Sequence, residues 1–354
     1  MINLNNRVDL SEIDSQNMLG SIEKLGDQII EINTLAKKFK LPAGYKKIDR
    51  AVVFGMGGSA LGAHIIHSVF MPTLKVPLTI VNGYDAPGCI NKNTLAIFSS
   101  YSGNTEEVIA AQKAVRKIGA KQVIICAGGE LRKIAQKNKI PALIFSTDNN
   151  PCGSPRMGLG YSVAGIGLIL SRAGLIKFRD EEIKKLVFAV GAAQEEFGVS
   201  AEDNVIKKLA SKTMNRSVWF VGAGILGGNA HTAANQMNEN AKRFAGYFLI
   251  PELNHHLMEG MMNPAGNKDN LLFVFFESSL YSEKIKKRFD ITKNVLAENN
   301  IMYESILLKN KTALEIAGAA LAASGYLSYY SAIVAGIDPT AIPFVDKFKA
   351  ALKK

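Results

Sequence analysis

The chain has 354 residues, of which 47 % are hydrophobic and 21 % are charged. This composition is ordinary for a globular protein and excludes collagen-like and disordered classes. The formal net charge is +11, but the basic residues are mostly Lys and are spread along the whole chain. Without an Arg-rich run or an RNA-binding aromatic motif, nucleic-acid binding is not expected. A basic field would instead attract small anions such as phosphates.

The cysteines and the N-terminus indicate the compartment. Cys89, Cys126 and Cys152 show no metal-site spacing, and their small number is typical of a reducing environment. Acidic residues such as Asp9 interrupt the stretch where an export signal would be apolar, and no run of about 18 apolar residues could span a membrane. The most apolar stretch, 313–335, predicts a buried helix. We therefore expect a cytoplasmic protein with no membrane partner.

In chain order, the first half predicts a helix and then an alternating α/β pattern. Apolar spacing over 11–40 predicts one long helix with Ser11 as its N-cap. Short apolar runs then predict strands at 51–54, 78–81, 95–99, 122–127 and 142–145, with a helix over 105–118. Strands that alternate with helices favour a parallel sheet with helices on both faces.

The second half repeats this pattern. The strand and glycine turn at 51–62 resemble 218–229, and later strands are predicted at 271–276 and 304–308. A Lys- and Glu-rich segment of helical character, 179–215, separates the halves. The sequence therefore predicts two α/β halves of one architecture.

A glycine-rich turn, Gly-Met-Gly-Gly-Ser-Ala at 55–60, lies between a predicted strand and a helix. Such a turn lets the backbone approach an anionic ligand at a helix N-terminus. A dinucleotide site would also need an acidic residue about 20 positions later, where this chain has Lys75, and Asn82 follows the next strand. A nicotinamide cofactor is therefore disfavoured, and a tight structural turn is the alternative to a ligand site.

The segment Ser-Ser-Tyr-Ser-Gly-Asn-Thr-Glu-Glu at 99–107 is more informative. Ser100, Ser102 and Thr105 crowd a strand-to-helix turn, where hydroxyls and free backbone N–H groups can cradle a phosphate. The alternative is a cluster that only caps the helix. No Lys follows as in a Walker loop, which disfavours a nucleoside triphosphate.

Other residues with catalytic chemistry are scattered. Arg156 follows Pro155 and could stabilise an oxyanion; Glu239, among amides just after a predicted helix, could be a general base. His255 lies in a predicted loop, and His64 and His67 share a predicted helix but lack further metal ligands. If each residue is considered alone, the ordinary interpretation is structural. Arg156 would be a surface residue, Glu239 would be a solvated acid at a helix end, and the histidines would be surface or half-buried residues.

Together and in this order, the motifs resemble those of sugar isomerase (SIS) domain proteins, and in particular the bifunctional phosphoglucose/phosphomannose isomerases. The matching segments run from residue 50 to residue 352, and are GMGGSALG (55–62), SSYSGNTEE (99–107), SPRMGLGY (154–161), NENAK (238–242), PELNH (251–255) and GIDPT…KFKAAL (336–352). The resemblance implies two tandem SIS domains, each a flavodoxin-like αβα sandwich on a parallel sheet. The expected divisions are an N-terminal helical segment (1–48), a first SIS domain that binds the sugar phosphate (49–178), a helical connector (179–215), and a second SIS domain with C-terminal helices (216–354).

The resemblance also implies roles for residues. The residues expected to hold the sugar phosphate are Gly58, Ser59, Ser100, Ser102 and Thr105. Arg156 would stabilise the enediolate, Glu239 would move a proton between C1 and C2, and His255 would help to open the sugar ring. Lys349 would be a further active-site residue, with Lys347 as the alternative. The implied protein is a homodimer with active sites shared between subunits.

The expected reaction is the interconversion of glucose 6-phosphate, and of mannose 6-phosphate, with fructose 6-phosphate through a cis-enediol. This chemistry needs a phosphate anchor, a carboxylate and a ring-opening acid or base, so neither a metal nor a cofactor is expected. A non-catalytic sugar-phosphate-binding regulator on the same fold is the alternative, which the presence of Glu239 and His255 disfavours. A hexosamine amidotransferase would need an N-terminal Cys nucleophile, whereas the sequence begins Met-Ile-Asn-Leu.

Overall fold

Two parallel β-sheets organise the chain, as the sequence predicts. The computed structural model describes residues 2–352. The first sheet has the strand order β2-β1-β3-β4-β5 and the second has the order β7-β6-β8-β9, with every neighbouring pair parallel. The strands are β1 (Arg50–Phe54), β2 (Leu78–Val81), β3 (Thr94–Ser99), β4 (Lys121–Cys126), β5 (Ala142–Ile144), β6 (Ser217–Ala223), β7 (Ala245–Ile250), β8 (Leu271–Ser278) and β9 (Met302–Leu308).

The predicted strands are all present, and one strand was missed. β7 is an edge strand whose residues are mostly half-buried or exposed, although its sequence, AGYFLI, is a continuous apolar run. The order of the first sheet is that of a flavodoxin-like fold, and the second sheet has the same order without a fifth strand.

Fifteen α-helices occur within residues 2–352. They are α1 (Arg7–Ser11), α2 (Met18–Glu23), α3 (Leu25–Lys38), α4 (Gly58–Phe70), α5 (Glu106–Ile118), α6 (Gly129–Asn138), α7 (Leu159–Arg172), α8 (Asp180–Phe197), α9 (Val205–Lys212), α10 (Gly227–Asn240), α11 (Leu253–His256), α12 (Asn267–Asn270), α13 (Glu283–Glu298), α14 (Ala313–Val334) and α15 (Pro343–Ala351). The segment 179–215 is helical as predicted, while the exact domain divisions remain predictions. No helix in the described residues is long and apolar enough to cross a membrane.

The prediction of a single helix over 11–40 is wrong. Three helices occupy this region, and Ser11 ends the first of them instead of capping a longer one. The buried Asp14 carboxylate accepts hydrogen bonds from the backbone N–H groups of Met18 and Leu19. These bonds start a new helix at Met18, because they satisfy donors that a continuous helix would pair internally.

The two halves are joined through α4 and α10, the helices that follow the duplicated glycine turns. A Cβ on Gly228 would lie 2.3 Å from the carbonyl oxygen of His64, so the two helix backbones are in direct contact there. One cluster of buried side chains extends from the N-terminal helices through both sheets to α14. The prediction that 313–335 is a buried helix is confirmed, since α14 is buried over most of its length.

Candidate active site

The hydroxyl-rich loop lies between β3 and α5, at the carboxyl end of the first sheet. Ser100 is buried, and its Oγ lies 2.7 Å from Oγ1 of Thr105 and accepts a hydrogen bond from the N–H of Gly103. Ser102 is exposed, and its Oγ accepts from the N–H of Asn104. Hydrogen bonds to its own hydroxyl groups therefore hold the loop in place before the N-terminus of α5.

The glycine-rich turn lies beside this loop. Ser59, in the first turn of α4, accepts a hydrogen bond through its Oγ from the N–H of Tyr101 at 2.9 Å. Its carbonyl oxygen accepts from the hydroxyl of Ser99 at 2.7 Å. Because β1 and β3 are adjacent parallel strands, their carboxyl ends bring the two loops to one edge of the sheet. The five residues predicted to hold a phosphate therefore lie at one place.

Arg156 lies against the same turn. It belongs to a single 3₁₀ turn, Pro155–Met157, and a Cβ on Gly58 would lie 2.7 Å from the backbone nitrogen of Arg156. Only a glycine permits this approach of the two backbones. The glycine turn thus fixes the position of Arg156 next to the loop that would bind the phosphate.

The side chain of Arg156 reaches across to the second half. Arg156 is 1 % exposed, and its Nη1 lies 3.3 Å from Oε2 of Glu239, whose side chain is 30 % exposed. Its Nε donates to Oδ1 of the buried Asn240. Burial lowers the pKa of Arg156, and the charge of Glu239 opposes this effect. An arginine remains charged at neutral pH despite such a shift.

The C-terminal segment completes the surroundings of Arg156. Its Nη2 donates to the carbonyl oxygens of Pro339 and Thr340, at 3.0 and 2.9 Å. Sequence reasoning missed this contact, because backbone carbonyls carry no side-chain signature. It also placed Glu239 just after a helix, whereas Glu239 is in the last turn of α10.

His255 and the two candidate lysines do not join this cluster within one chain. His255 is exposed on the short helix α11 and makes no hydrogen bond or ion pair with the other predicted site residues in the part of the chain described. Lys347 and Lys349 are exposed on α15. Lys349 lies three residues after Asp346, whose charge acts on Arg156, so a helical period places it on that face.

The histidine pair considered from the sequence has a different environment. His64 packs edge-on against His231, with ring centroids 4.5 Å apart. Burial, together with the neighbouring histidines, lowers the pKa of His64 to about 4. Within residues 2–352, no group of three or more His, Cys, Asp or Glu side chains is arranged to hold a metal ion.

Comparisons with known proteins find matches to both halves of the chain. Residues 44–145 match the SIS domain family, and residues 202–352 match the family described as bacterial phospho-glucose isomerase C-terminal SIS domain. The bifunctional phosphoglucose/phosphomannose isomerase of Caldicellulosiruptor bescii is 28 % identical over 95 % of this chain and 98 % of its own length. The protein of the same name from Thermoplasma volcanium is also 28 % identical, over 90 % of this chain and 97 % of its own.

A solved structure supports the fold over nearly the whole chain. A hypothetical protein from Thermus thermophilus superposes with a TM-score of 0.76 at 15 % identity, covering 99 % of this chain and 93 % of that protein. Both halves of the sequence thus match SIS families, and the named relatives align from end to end. Residues 44–145 and 202–352 belong to SIS-domain families, and the chain as a whole is similar to bifunctional phosphoglucose/phosphomannose isomerases.

Proposed function

We propose that this chain interconverts glucose 6-phosphate and mannose 6-phosphate with fructose 6-phosphate. The observation that carries the proposal is the contact of Arg156 with Glu239, which joins the two halves beside the glycine turn at Gly58. A phosphate anchor and a carboxylate base are two of the groups that an aldose–ketose isomerisation needs, and a buried cation beside them can stabilise the enediolate. The names and end-to-end alignment of the relatives support the same reaction.

Glu239 is the base in this proposal. It takes the proton from C2 of the aldose and delivers it to C1 of the resulting cis-enediol, while a proton moves from O2 to O1, which gives the ketose. The carboxylate is suited to this work because Arg156 holds one of its oxygens while 30 % of the side chain stays open to a ligand. Arg156 also offers positive charge to the oxygen on which the enediolate develops.

The phosphate occupies the edge of the first sheet. Ser59, Ser100, Ser102 and Thr105 supply hydroxyls, and the N-terminus of α5 supplies unpaired N–H groups and a positive dipole end. The sugar carbons then extend from this edge towards Arg156 and Glu239. The formal charge of +11 favours the approach of an anionic substrate.

A second copy of the chain supplies His255. Within one chain His255 is exposed and apart from Arg156, so ring opening by this residue requires it to act across an interface. Exposed apolar residues on and beside β7, the strand that leads to His255, support a subunit contact there: Phe244 is 71 % exposed and Leu249 is 38 % exposed. We further place the enzyme in the cytoplasm, which suits its three free cysteines.

The central test replaces the base. Glu239→Gln keeps the shape and hydrogen bonding of the side chain but removes its basicity. We expect kcat to fall by about 10²–10⁴-fold with little change in KM. Exchange of the C2 proton of glucose 6-phosphate with solvent deuterium should be lost as well. Glu252→Gln, at an exposed carboxylate, is the matched control.

The outcomes separate the alternatives. Proton exchange at the parent rate in Glu239→Gln would show that another group is the base, and loss of exchange in Glu252→Gln would identify Glu252 as that group. A parent protein that binds glucose 6-phosphate without isomerising it would instead be the non-catalytic regulator. Coupled assays with the glucose, mannose and fructose 6-phosphates measure the preference between the two aldoses.

Two further variants test the remaining assignments. Lys349→Met and Lys347→Met should differ, with the larger loss of kcat at Lys349. An inactive His255→Ala chain mixed with an inactive Ser102→Ala, Thr105→Ala chain should regain activity, because half of the heterodimer sites are then intact. An enzyme that is active as a monomer in sedimentation would contradict the shared site.

A further inference from the structure

Lys242 is the last residue of the NENAK segment, and the roles proposed above do not use it. It follows the C-cap of α10 and has a positive φ of 49°. This left-handed conformation is normally taken by glycine after a helix, and other residues adopt it at an energetic cost. Whether the lysine side chain has a use at this position is decided by its contacts.

The ammonium group of Lys242 donates hydrogen bonds to the backbone of two segments, the end of α10 and the C-terminal segment. Its Nζ donates to the carbonyl oxygen of Asn240, at the end of α10, at 3.1 Å. It also donates to the carbonyl oxygen of Asp338 at 2.6 Å. A cation is favoured at the first of these because the last carbonyls of a helix lack partners and carry negative partial charge. The side chain therefore links the helix that carries Glu239 to the C-terminal segment.

Arg156 and Lys242 together donate hydrogen bonds to three consecutive backbone carbonyl groups. Lys242 holds the carbonyl oxygen of Asp338, and Nη2 of Arg156 holds those of Pro339 and Thr340. The guanidinium group is planar and rigid, so its Nη2 and Nη1 atoms move together. A shift of the segment 338–340 would therefore rotate Nη1 away from Glu239.

We propose that Lys242 is a positioning residue, which fastens the segment 338–340 to the end of α10 and thereby keeps Arg156 and Glu239 in the geometry that proton transfer requires. The inference rests on the proposed isomerase function. Lys242 acts through Arg156 and does not need to touch the substrate. Its loss should therefore reduce kcat, while KM, which depends on the phosphate loop, stays nearly constant, because the hydrogen bonds of Lys242 go to Asn240 and Asp338 and not to that loop.

The charge of this lysine titrates near pH 8. Burial of the ammonium and the nearby charge of Arg156 lower the pKa of Lys242 to about 8, against the opposing effect of Asp338 and Glu239. These three groups face it from the 3₁₀ turn, the C-terminal segment and α10. Above this pH the side chain becomes an uncharged amine and loses the charge-assisted part of both hydrogen bonds. The hydrogen bonds of Lys242 to Asn240 and Asp338 should therefore weaken as the pH rises through 8.

Three substitutions at this position distinguish positioning from a structural role. Lys242→Met removes the donors and the charge and keeps the length. Lys242→Gly also relieves the left-handed backbone, so its melting temperature should not fall below that of the parent. Lys242→Arg keeps donors and a charge that does not titrate near pH 8. The lysine side chain as a whole is exposed although its ammonium is partly buried, so there is room for the guanidinium group.

The matched control is Lys139, at the C-cap of α6. It also has a left-handed backbone, with φ 53°, and is exposed. Its ammonium makes no hydrogen bond within residues 2–352. Lys139→Gly reproduces the backbone change of Lys242→Gly without altering the site.

The expected results are specific. Lys242→Met and Lys242→Gly should lower kcat at pH 7 by at least about tenfold, the scale of a displaced catalytic group, with KM for glucose 6-phosphate within about twofold. Lys242→Arg should restore most of kcat and move the alkaline limb of the kcat–pH profile upward. Lys139→Gly should leave both constants unchanged.

Opposite results would overturn the inference. An active parent whose Lys242→Met and Lys242→Gly variants keep kcat within about twofold overturns the role of Lys242 and leaves the proposed function standing. A loss of kcat that only follows a loss of folded protein overturns it as well, since the residue would then be structural. A parent chain with no isomerase activity overturns the proposed function and this inference with it.

Discussion

Replacing Arg156 with Met removes four hydrogen bonds and fills nearly the same volume. The four acceptors are on Asn240, Glu239, Pro339 and Thr340. Three of these acceptors belong to buried residues, and only Glu239 retains access to water. The substitution therefore leaves three buried acceptors without this donor, and one partly exposed carboxylate without its counter-ion.

The loss of stability in Arg156→Met can be calculated from the three buried acceptors that lose their donor. A buried polar group that loses its partner costs about 1–3 kcal/mol, and taking about 1–1.5 kcal/mol for each of three gives a loss of about 3–5 kcal/mol in the free energy of unfolding. Glu239 adds little because it can be hydrated. Catalysis should suffer separately, with kcat reduced by about 10²–10³-fold through the lost stabilisation of the enediolate.

Urea unfolding of the parent and of Arg156→Met measures the first quantity, and the coupled assay measures the second. Arg172→Met is the control: this arginine donates a single hydrogen bond, to the carbonyl oxygen of Ala36 at 3.3 Å, and its loss should cost about 1 kcal/mol or less. Hydrogen exchange should also become faster in the amides of 338–352 in Arg156→Met alone. If the two variants lost equal stability and 338–352 stayed protected, the argument from buried acceptors would be refuted.

Three other predictions concern the loops at the first sheet. Gly58→Ala would place a Cβ 2.7 Å from the backbone nitrogen of Arg156, so kcat should fall while a melting curve still shows a folded protein. Gly103→Ala would place a Cβ 1.9 Å from a carbonyl oxygen of the neighbouring loop, at a φ of 72°, and we expect a large rise in KM together with a lower melting temperature. The double variant Ser102→Ala, Thr105→Ala should raise KM strongly, since each hydrogen bond to a charged group contributes about 1.5–3 kcal/mol; an unchanged KM in steady-state assays would contradict the phosphate assignment.

Much of the fold could be predicted because buried parallel strands have a strong signal in the sequence, a continuous run of apolar residues. The runs that became β1, β3, β4 and β8 are continuous and apolar, as strands covered on both faces must be. The carboxyl ends of adjacent parallel strands must meet, so the glycine turn and the hydroxyl loop could be expected at one edge. The run AGYFLI of β7 is equally apolar, so this strand was missed although its sequence indicates it. The break made by Asp14 could not be predicted, because it depends on the hydrogen bonds of a single buried carboxylate.

The candidate site was only partly predictable, for a different reason. Residue type singled out Arg156 and Glu239, and the structure brings them to 3.3 Å. The partners that fix Arg156, the carbonyls of Pro339 and Thr340, belong to every peptide unit and cannot be read from side chains. Lys242 was missed because a left-handed backbone at a lysine is visible only in coordinates.

The backbone contact between α4 and α10 has a consequence for how the protein can be divided or moved. With Gly228 against the His64 carbonyl and one buried cluster running through both sheets, neither half has a complete surface of its own. Chains cut within the connector 179–215 and expressed separately should therefore expose apolar area and aggregate, while co-expression should recover a complex. The same contact opposes a hinge motion in which the two halves would separate as rigid bodies. Any opening of the site must then involve elements outside this buried contact, and α15, which buries none of its residues, is such an element.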